Sequence, residues 1–442
     1  MRVTNNMITS NTKSNINANK VLVDKYNTQM TTQKKINKPS DDPVIAIRSL
    51  RMQTSLSHID QYLNNNISDA NSWLNVTDTA LENMKTILTD VRSLCVKGAT
   101  DTLKEDDRRT ILNQLKSLSD QIYAEGNADF SGRTVFTGYR TTEQLTFKTD
   151  EETTSYTIDQ KLSYKDISEA RYTYGSVDVP TDATNSFDET ISIGENTYDR
   201  LRLAYGKING KDNSDGTGAI DPISSMSYTT KKVELDLAQG KFVDENGVAT
   251  GKFTMYESKE EWLKANNGEA KVEDTDMVFI KDTGEMILGK DLSNTLKREE
   301  ADLSITYTKT GFDAGEARPE YYYDCKMKTP DINEDQPINF EISSGIMLAA
   351  NTQASDVLST DIGRDMTEMM TLVSASTQAH DKVSRIEKMM SMDKYSDEES
   401  QKKLQTYLDA ANKEATYADD NLSKTYQQFI SNFDGYLDKV NV

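Results

Sequence analysis

The chain has 442 residues, room for two or three domains, and its 51 basic against 72 acidic side chains leave a net charge of −21. That acidity argues against a nucleic-acid binder held by phosphate neutralisation, and the lack of any run of 18 apolar residues argues against membrane insertion. Two cysteines, Cys95 and Cys325, and two histidines, His58 and His380, offer no disulfide framework and little for metal or triad chemistry, so neither a cofactor nor an enzyme is expected.

Charge and composition divide the chain in three. Residues 1–140 carry 18 basic and 15 acidic side chains, residues 341–442 carry 10 and 17, and residues 141–340 carry 23 and 40. The middle also holds 14 of 21 glycines, 5 of 7 prolines and 12 of 21 tyrosines, so helix breakers and strand formers collect there. The expected fold is α+β, a discontinuous, elongated α-helical coiled-coil core built from both chain ends (1–140 and 341–442), with an inserted β-rich domain at 141–340 that has room for two subdomains.

The polar opening, Met1 to Lys13, lacks the apolar centre of a secretory signal. A terminal helical segment spans 1–36, with apolar residues at Ile8, Val21, Leu22, Tyr26 and Met30. Pro39 halts it, Asp42 is placed to cap the next helix, and Pro43 suits that helix's first turn. No glycine or proline follows until Gly98, which predicts a long helix over 43–97, about 80 Å at 1.5 Å per residue. Its apolar residues, Met52, Leu56, Ile59, Leu63, Ile67, Ala70 and Leu74, continued by Leu81, Met84, Ile87 or Leu88, Val91 and Leu94, step mostly by threes and fours as a heptad seam does.

Thr102 to Glu105 reads as a capping box for a helix over 103–125, and Gly132 to Gly138 reads as a hairpin within 130–140. Short strands are expected at Leu145–Lys148, Tyr156–Ile158, Ile191–Ile193, Phe253–Tyr256 and Leu303–Tyr307. Toward the C-terminus one stripe runs from Ile362 to Met390. After a capping pattern at Ser396 to Glu399, a second runs through Leu404, Leu408, Ala415, Leu422, Phe429 and Phe433, with a late break expected at Gly435.

A narrow stripe cannot hold such helices alone. Each heptad buries two or three side chains at about 1.5–3 kcal/mol each, while ordering costs about 1.5 kcal/mol per residue. The N- and C-terminal helices are therefore expected to pack on one another. The polar segment 1–36 is expected to stay poorly ordered until neighbouring copies supply its missing face.

Several sharper features have plainer readings. His58 and His380 are seam or surface residues, and both thiols pack as small hydrophobes. Asp212 to Gly216 lacks the terminal glutamate of a calcium loop and reads as a turn. Tyr321 to Tyr323 reads as alternating strand packing. Ser40 and Asp42 read as caps, not as a nucleophile and base. Six methionines between Met366 and Met392 fill a core, and their adaptable side chains would also suit a joint under torsion.

Lys35 to Arg48, with Pro39, Ser40, Asp41, Asp42 and Pro43 at its centre, resembles the signature of the bacterial flagellin superfamily, in the version of its hook–filament junction branch. Asn65 to Leu74 with Trp73, Thr77 to Leu81, and Ser131 to Gly138 with Gly132, Phe136 and Gly138 extend the resemblance, as do Met1 to Asn5. Phe340 to Gly345 is similar to the return from the variable domain to the helical core. The resemblance implies a protein exported by the flagellar type III apparatus with an export chaperone and without a cleaved signal. It would form a ring of copies between hook-associated protein 1 and the flagellin filament, outside the cell, with its variable domain facing out. A filament-forming flagellin is the alternative, against which Pro39 and Pro43 argue. A glycan-binding or glycan-degrading middle domain is a third possibility.

Overall fold

A computed structural model describes residues 4–40, 42–100, 105–179, 193–212, 219–228, 233–325 and 336–441. Four helices come first, α1 Asn5–Thr32, α2 Pro43–Asp60, α3 Ile67–Gly98 and α4 Glu105–Gly126, with a π-helical segment Gln61–Asn66 between α2 and α3. A small hairpin pairs β1 Asp129–Phe130 with β2 Arg133–Thr134. Next come β3 Glu151–Leu162, β4 Ser168–Tyr174, β5 Gly194–Arg202, β6 Lys211–Asp212, β7 Ala219–Ile220, β8 Ile223–Tyr228, β9 Val233–Asp236, β10 Lys241–Val243 and β11 Ala249–Tyr256. Helix α5 Lys259–Ala265 leads to β12 Met277–Ile280 and β13 Glu285–Leu288, and α6 Lys290–Arg298 leads to β14 Leu303–Phe312 and β15 Asp324–Cys325. The hairpin β16 Asn339–Ser343 and β17 Ile346–Ala349 precedes α7 Ala354–Val357, α8 Asp361–Met390 and α9 Glu398–Val440. The class is α+β, with helices from both chain ends flanking a β-rich insert.

The chain folds as two compact units. One comprises residues 1–72 and 339–349, the other residues 73–338 and 350–442. The β-rich insert thus shares a unit with the second half of the long N-terminal helix and with the C-terminal helices.

Local chemistry explains the helix ends. The Asp42 carboxylate accepts from the Val44 and Ile45 amides at 3.1 and 3.2 Å, with Pro43 in the first turn. Asp397, not Ser396, caps α9, because its carboxylate accepts from the Ser400 amide at 2.8 Å. Gly98 ends α3 where a Cβ would lie 2.4 Å from the Tyr426 ring. Helix α9 continues through Gly435 to Val440, contrary to the expected break. Gly435 faces open space, while Phe433 and Val440 on the buried side hold the helix across it.

Within the second unit, eleven strands form one sheet in the order β15-β3-β14-β8-β9-β10-β11-β12-β13-β5-β4. Its β11–β12 pair is parallel, and α5 is the crossover that a parallel pair requires. Trp262 anchors that crossover, edge-on to Tyr172 at 5.5 Å, with its indole N–H donating to the Lys271 carbonyl at 3.2 Å. The expected strands at Tyr156, Phe253 and Leu303 fall within β3, β11 and β14. Leu145–Lys148 is not a strand. Leu145 and Phe147 are buried in a loop whose single bridge joins Thr146 to Ala317. Tyr321 to Tyr323 leave a 3-10 turn started by Pro319, so their rings pack from a turn rather than alternate along a strand. Met1–Val3, Asp41, the Thr102–Lys104 part of the capping pattern, Ile191 and the Asn213–Gly216 stretch lie outside the described residues.

Candidate assembly interface

In the first unit the helices are bare. Neither α1 nor α2 buries a residue. Met7, Ile8, Val21, Leu22, Val23, Tyr26 and Met30 are exposed along α1, and Val44, Ile47, Leu50, Met52, Leu56, Ile59 and Leu63 along α2 and the π segment. Met30 is 79% and Leu56 68% exposed, values that a self-contained globule does not give to helical stripes. The β16–β17 hairpin adds exposed Ile346, Met347 and Leu348. It is fastened to the π segment where the Tyr62 hydroxyl donates to Glu341 Oε1 at 3.1 Å and Asn66 Nδ2 to the Glu341 carbonyl at 2.7 Å.

In the second unit the helices are fully engaged. Along α3 the buried face is Ala70, Trp73, Thr77, Ala80, Met84, Leu88, Val91 and Cys95. Of the anticipated α3 seam, Ala70, Met84, Leu88 and Val91 lie on it. Leu74 is exposed, and Ile67 and Leu81 are half-buried. The face departs from the expected seam at Leu74 and Leu81, where Trp73, Thr77 and Ala80 turn inward instead, and Thr77 is admitted by donating its hydroxyl to the Trp73 carbonyl at 3.0 Å. On α9, Leu404, Ala415, Leu422, Phe429 and Phe433 are buried and Leu408 half-buried.

Both chain ends meet here as expected. Arg92 pairs with Asp434 at 2.5 Å, Arg109 with Asp381 at 3.1 Å, and Cys95 Sγ lies 3.7 Å from Met369 Sδ. Burial pushes the Cys95 thiol up to about 12, assisted by the Asp365 charge, so it packs as a hydrophobe. Met366, Met369 and Met389 are buried in the helical core.

The remaining motif residues are structural. Pro39, Ser40 and Pro43 are exposed and Asp42 is the cap. Trp73 is buried, edge-on to Phe130 at 6.3 Å, with Arg133 over its ring at 5.6 Å. Gly132 takes φ +77° in the β1–β2 turn. Phe136 is buried, and Gly138 combines φ +59° with a Cβ direction 2.6 Å from Gln336 Oε1, which favours glycine there. His58 is exposed. His380 has a carboxylate partner. Asp419 receives His380 Nε2 at 2.8 Å, Arg108 Nη2 at 3.0 Å and the Ser376 hydroxyl at 2.6 Å. Ser376 thus bonds the carboxylate and not the imidazole, which is a helix-joining cluster rather than a nucleophile–base pair.

Sequence reading missed the ion network that joins the sheet to α8 and α9. Arg200 pairs with Glu285 and, at 2.7 Å, with Glu368. Arg202 pairs with Asp365 and, at 2.6 Å, with Glu368. Asp365, fully buried, also accepts from Asn432 at 2.9 Å and from the Tyr436 hydroxyl at 2.8 Å. Burial alone would raise the Glu368 pKa, but the Arg200 and Arg202 guanidinium groups hold it below the usual carboxylate value. The available signals were Arg200 and Arg202 on one face of a strand, and one acid set into the Ile362–Met366–Met369 stripe.

The model of the bacterial flagellin N-terminal helical region matches residues 3–141. The chain is 29% identical to flagellar hook-associated protein 3 of Escherichia coli (strain K12) over 118 residues, 26% of this chain and 37% of that protein. It is 27% identical to the Salmonella typhimurium (strain LT2) protein of the same name over 172 residues, 39% of this chain and 53% of that one. It therefore spans about half or less of these relatives' length. Among solved structures, Xanthomonas campestris FlgL is 10% identical, covering 88% of this chain and 94% of its own, with a TM-score of 0.26. The flagellar junction protein FlgL of Legionella pneumophila is 11% identical, covering 89% and 99%, with a TM-score of 0.25.

Proposed function

We propose, for a chain that carries the bacterial flagellin N-terminal helical region and through it resembles flagellar hook-associated protein 3, a structural and non-enzymatic role in the flagellum. Its terminal helices form a junction ring with copies of itself, between hook-associated protein 1 and flagellin. The chain reaches that position outside the cell through the type III export apparatus, escorted by an export chaperone.

One observation carries this reading. Among the described residues the apolar side chains of α1 and α2 lie uncovered, whereas most of those of α3, α8 and α9 are covered. Leu56, Ile59 and Leu63 belong to the surface that neighbours complete. Leu404, Ala415, Leu422, Phe429 and Phe433 instead hold the chain's own core. The Pro39–Pro43 motif supports the junction branch over a filament-former.

Deleting the gene and examining cells by electron microscopy tests the proposal. Intact hooks without filaments, with flagellin shed into the medium, is the expected result. Normal filaments would overturn it. Purified protein growing unaided into long filaments would favour flagellin instead.

A further inference from the structure

A cleft of about 1100 Å³ lies in the second unit, lined from strands β4 and β5, the start of α5, and helices α4, α8 and α9. Most cations in its wall are neutralised. Arg171 is paired with Glu195 at 3.1 Å, Arg200 with Glu285 and Glu368, Arg202 with Asp365 and Glu368, and Lys207 with Asp313 at 2.5 Å.

Three have no carboxylate partner among the described residues, and one of them, Lys424, is exposed. Lys259 makes no side-chain hydrogen bond or ion pair there, and the Arg364 guanidinium donates only to the Thr283 carbonyl oxygen. Both are partly buried, and burial lowers the pKa of each. Glu285 is the acid nearest in charge to Lys259 and also acts on Arg364, but it is already engaged by Arg200. Arg200, Arg202, Lys259 and Arg364 thus share only Glu285, Glu368 and Asp365. Glu169, Asp282 and Glu316 also line the cleft without pairing with either free cation. Desolvated charge without a counter-ion is unfavourable, and an anion entering the cleft would relieve it. Thr367 and Gln428 add hydrogen-bonding groups to the lining, and the cleft has the scale of a monosaccharide.

We propose that this cleft binds a small oxyanion-bearing organic molecule, its carboxylate or phosphate held by Lys259 as a point charge and by the fork of Arg364.

Calorimetric titration of the purified full chain with glucose 6-phosphate, glucuronate and glucose tests it. Saturable one-to-one binding of at least one anion and none of glucose is expected, and which anion binds distinguishes phosphate from carboxylate. K259Q should weaken that binding about tenfold and K259R should restore most of it. No anion binding at about 10 mM, or equal binding of glucose, would overturn the proposal. So would equal affinity in folded K259Q. If K259Q does not fold, a crystal of the native chain grown with the bound anion decides, since density away from Lys259 and Arg364 overturns the assignment.

Discussion

Asn66 and Glu341, 275 residues apart in the chain, are joined by a 2.7 Å hydrogen bond from the Asn66 amide to the Glu341 carbonyl oxygen. The donor sits at the last position of the π segment, where the backbone widens to i→i+5 bonding, a geometry rare outside functional sites. The Tyr62 hydroxyl holds the Glu341 side chain from the same segment. These two bonds tie the β16–β17 hairpin to the N-terminal helices. Asn66→Leu should cost about 1 kcal/mol locally, the net value of one hydrogen bond. Hydrogen exchange of the 339–349 amides should then quicken about fivefold, with the large sheet unaffected. Unchanged hairpin protection would show that the tie is incidental.

The Arg202–Asp365 pair makes the opposite kind of prediction, because its acid is fully buried. Arg202→Met leaves a buried carboxylate with only Asn432 and Tyr436 as donors. Removing one partner of a buried pair costs about 3–5 kcal/mol, more than the pair itself contributes. The double variant Arg202→Met with Asp365→Leu should recover much of that loss. Urea unfolding of both single variants and the double gives the coupling energy, and simple additivity would contradict the account.

Most helix boundaries were legible in the residues because caps and breakers act locally. Asp42, Pro43 and Gly98 do what such residues do in any chain. The sheet was not legible. The crossover between β11 and β12 packs Trp262 edge-on to Tyr172 of β4, a contact that strand propensity does not encode. The seam of α3 was legible at Ala70, Met84, Leu88 and Val91 and slipped at Leu74, because apolarity alone ranks Leu74 above Thr77. Thr77 satisfies its hydroxyl on the Trp73 carbonyl and can be buried, whereas Leu74 is left outside. Arg200, Arg202, Asp365 and Glu368 come from segments more than 160 residues apart, so their pairing is a product of the tertiary fold. The bareness of α1 and α2 was partly legible, since a long polar helix with a thin stripe already lacks the area to fold alone.

Acid should weaken the sheet–helix connection. Glu368 has a folded-state pKa below its unfolded value of about 4.3, so its contribution is complete above that pH. As pH falls below about 4.3 and through the depressed folded value, proton uptake favours the unfolded chain and the contribution is lost. Thermal unfolding followed between pH 7 and pH 3 should show Tm falling in this window, and Glu368→Gln should flatten that part of the curve. A Glu368→Gln curve parallel to the native one would place the acid sensitivity elsewhere.

Position decides what an apolar residue is for, and matched substitutions separate the two uses in this chain. Met84 is buried in the α3 face, so Met84→Ala should cost about 2–5 kcal/mol through lost contacts and a residual cavity. Leu22 lies on α1, exposed and within a helix that buries nothing. Leu22→Asp therefore removes no buried contact, and a surface change of this kind should move stability by about 0.5 kcal/mol or less. If neighbours complete that face, the same substitution places a carboxylate in an apolar seam between copies, where an unpaired charge is strongly disfavoured. Cells producing Leu22→Asp should then lose filaments and swarming, while the purified chain unfolds at the native urea midpoint. Full motility would mean that α1 does not use this face in assembly. A lowered urea midpoint would mean that Leu22 is packed within the folded monomer.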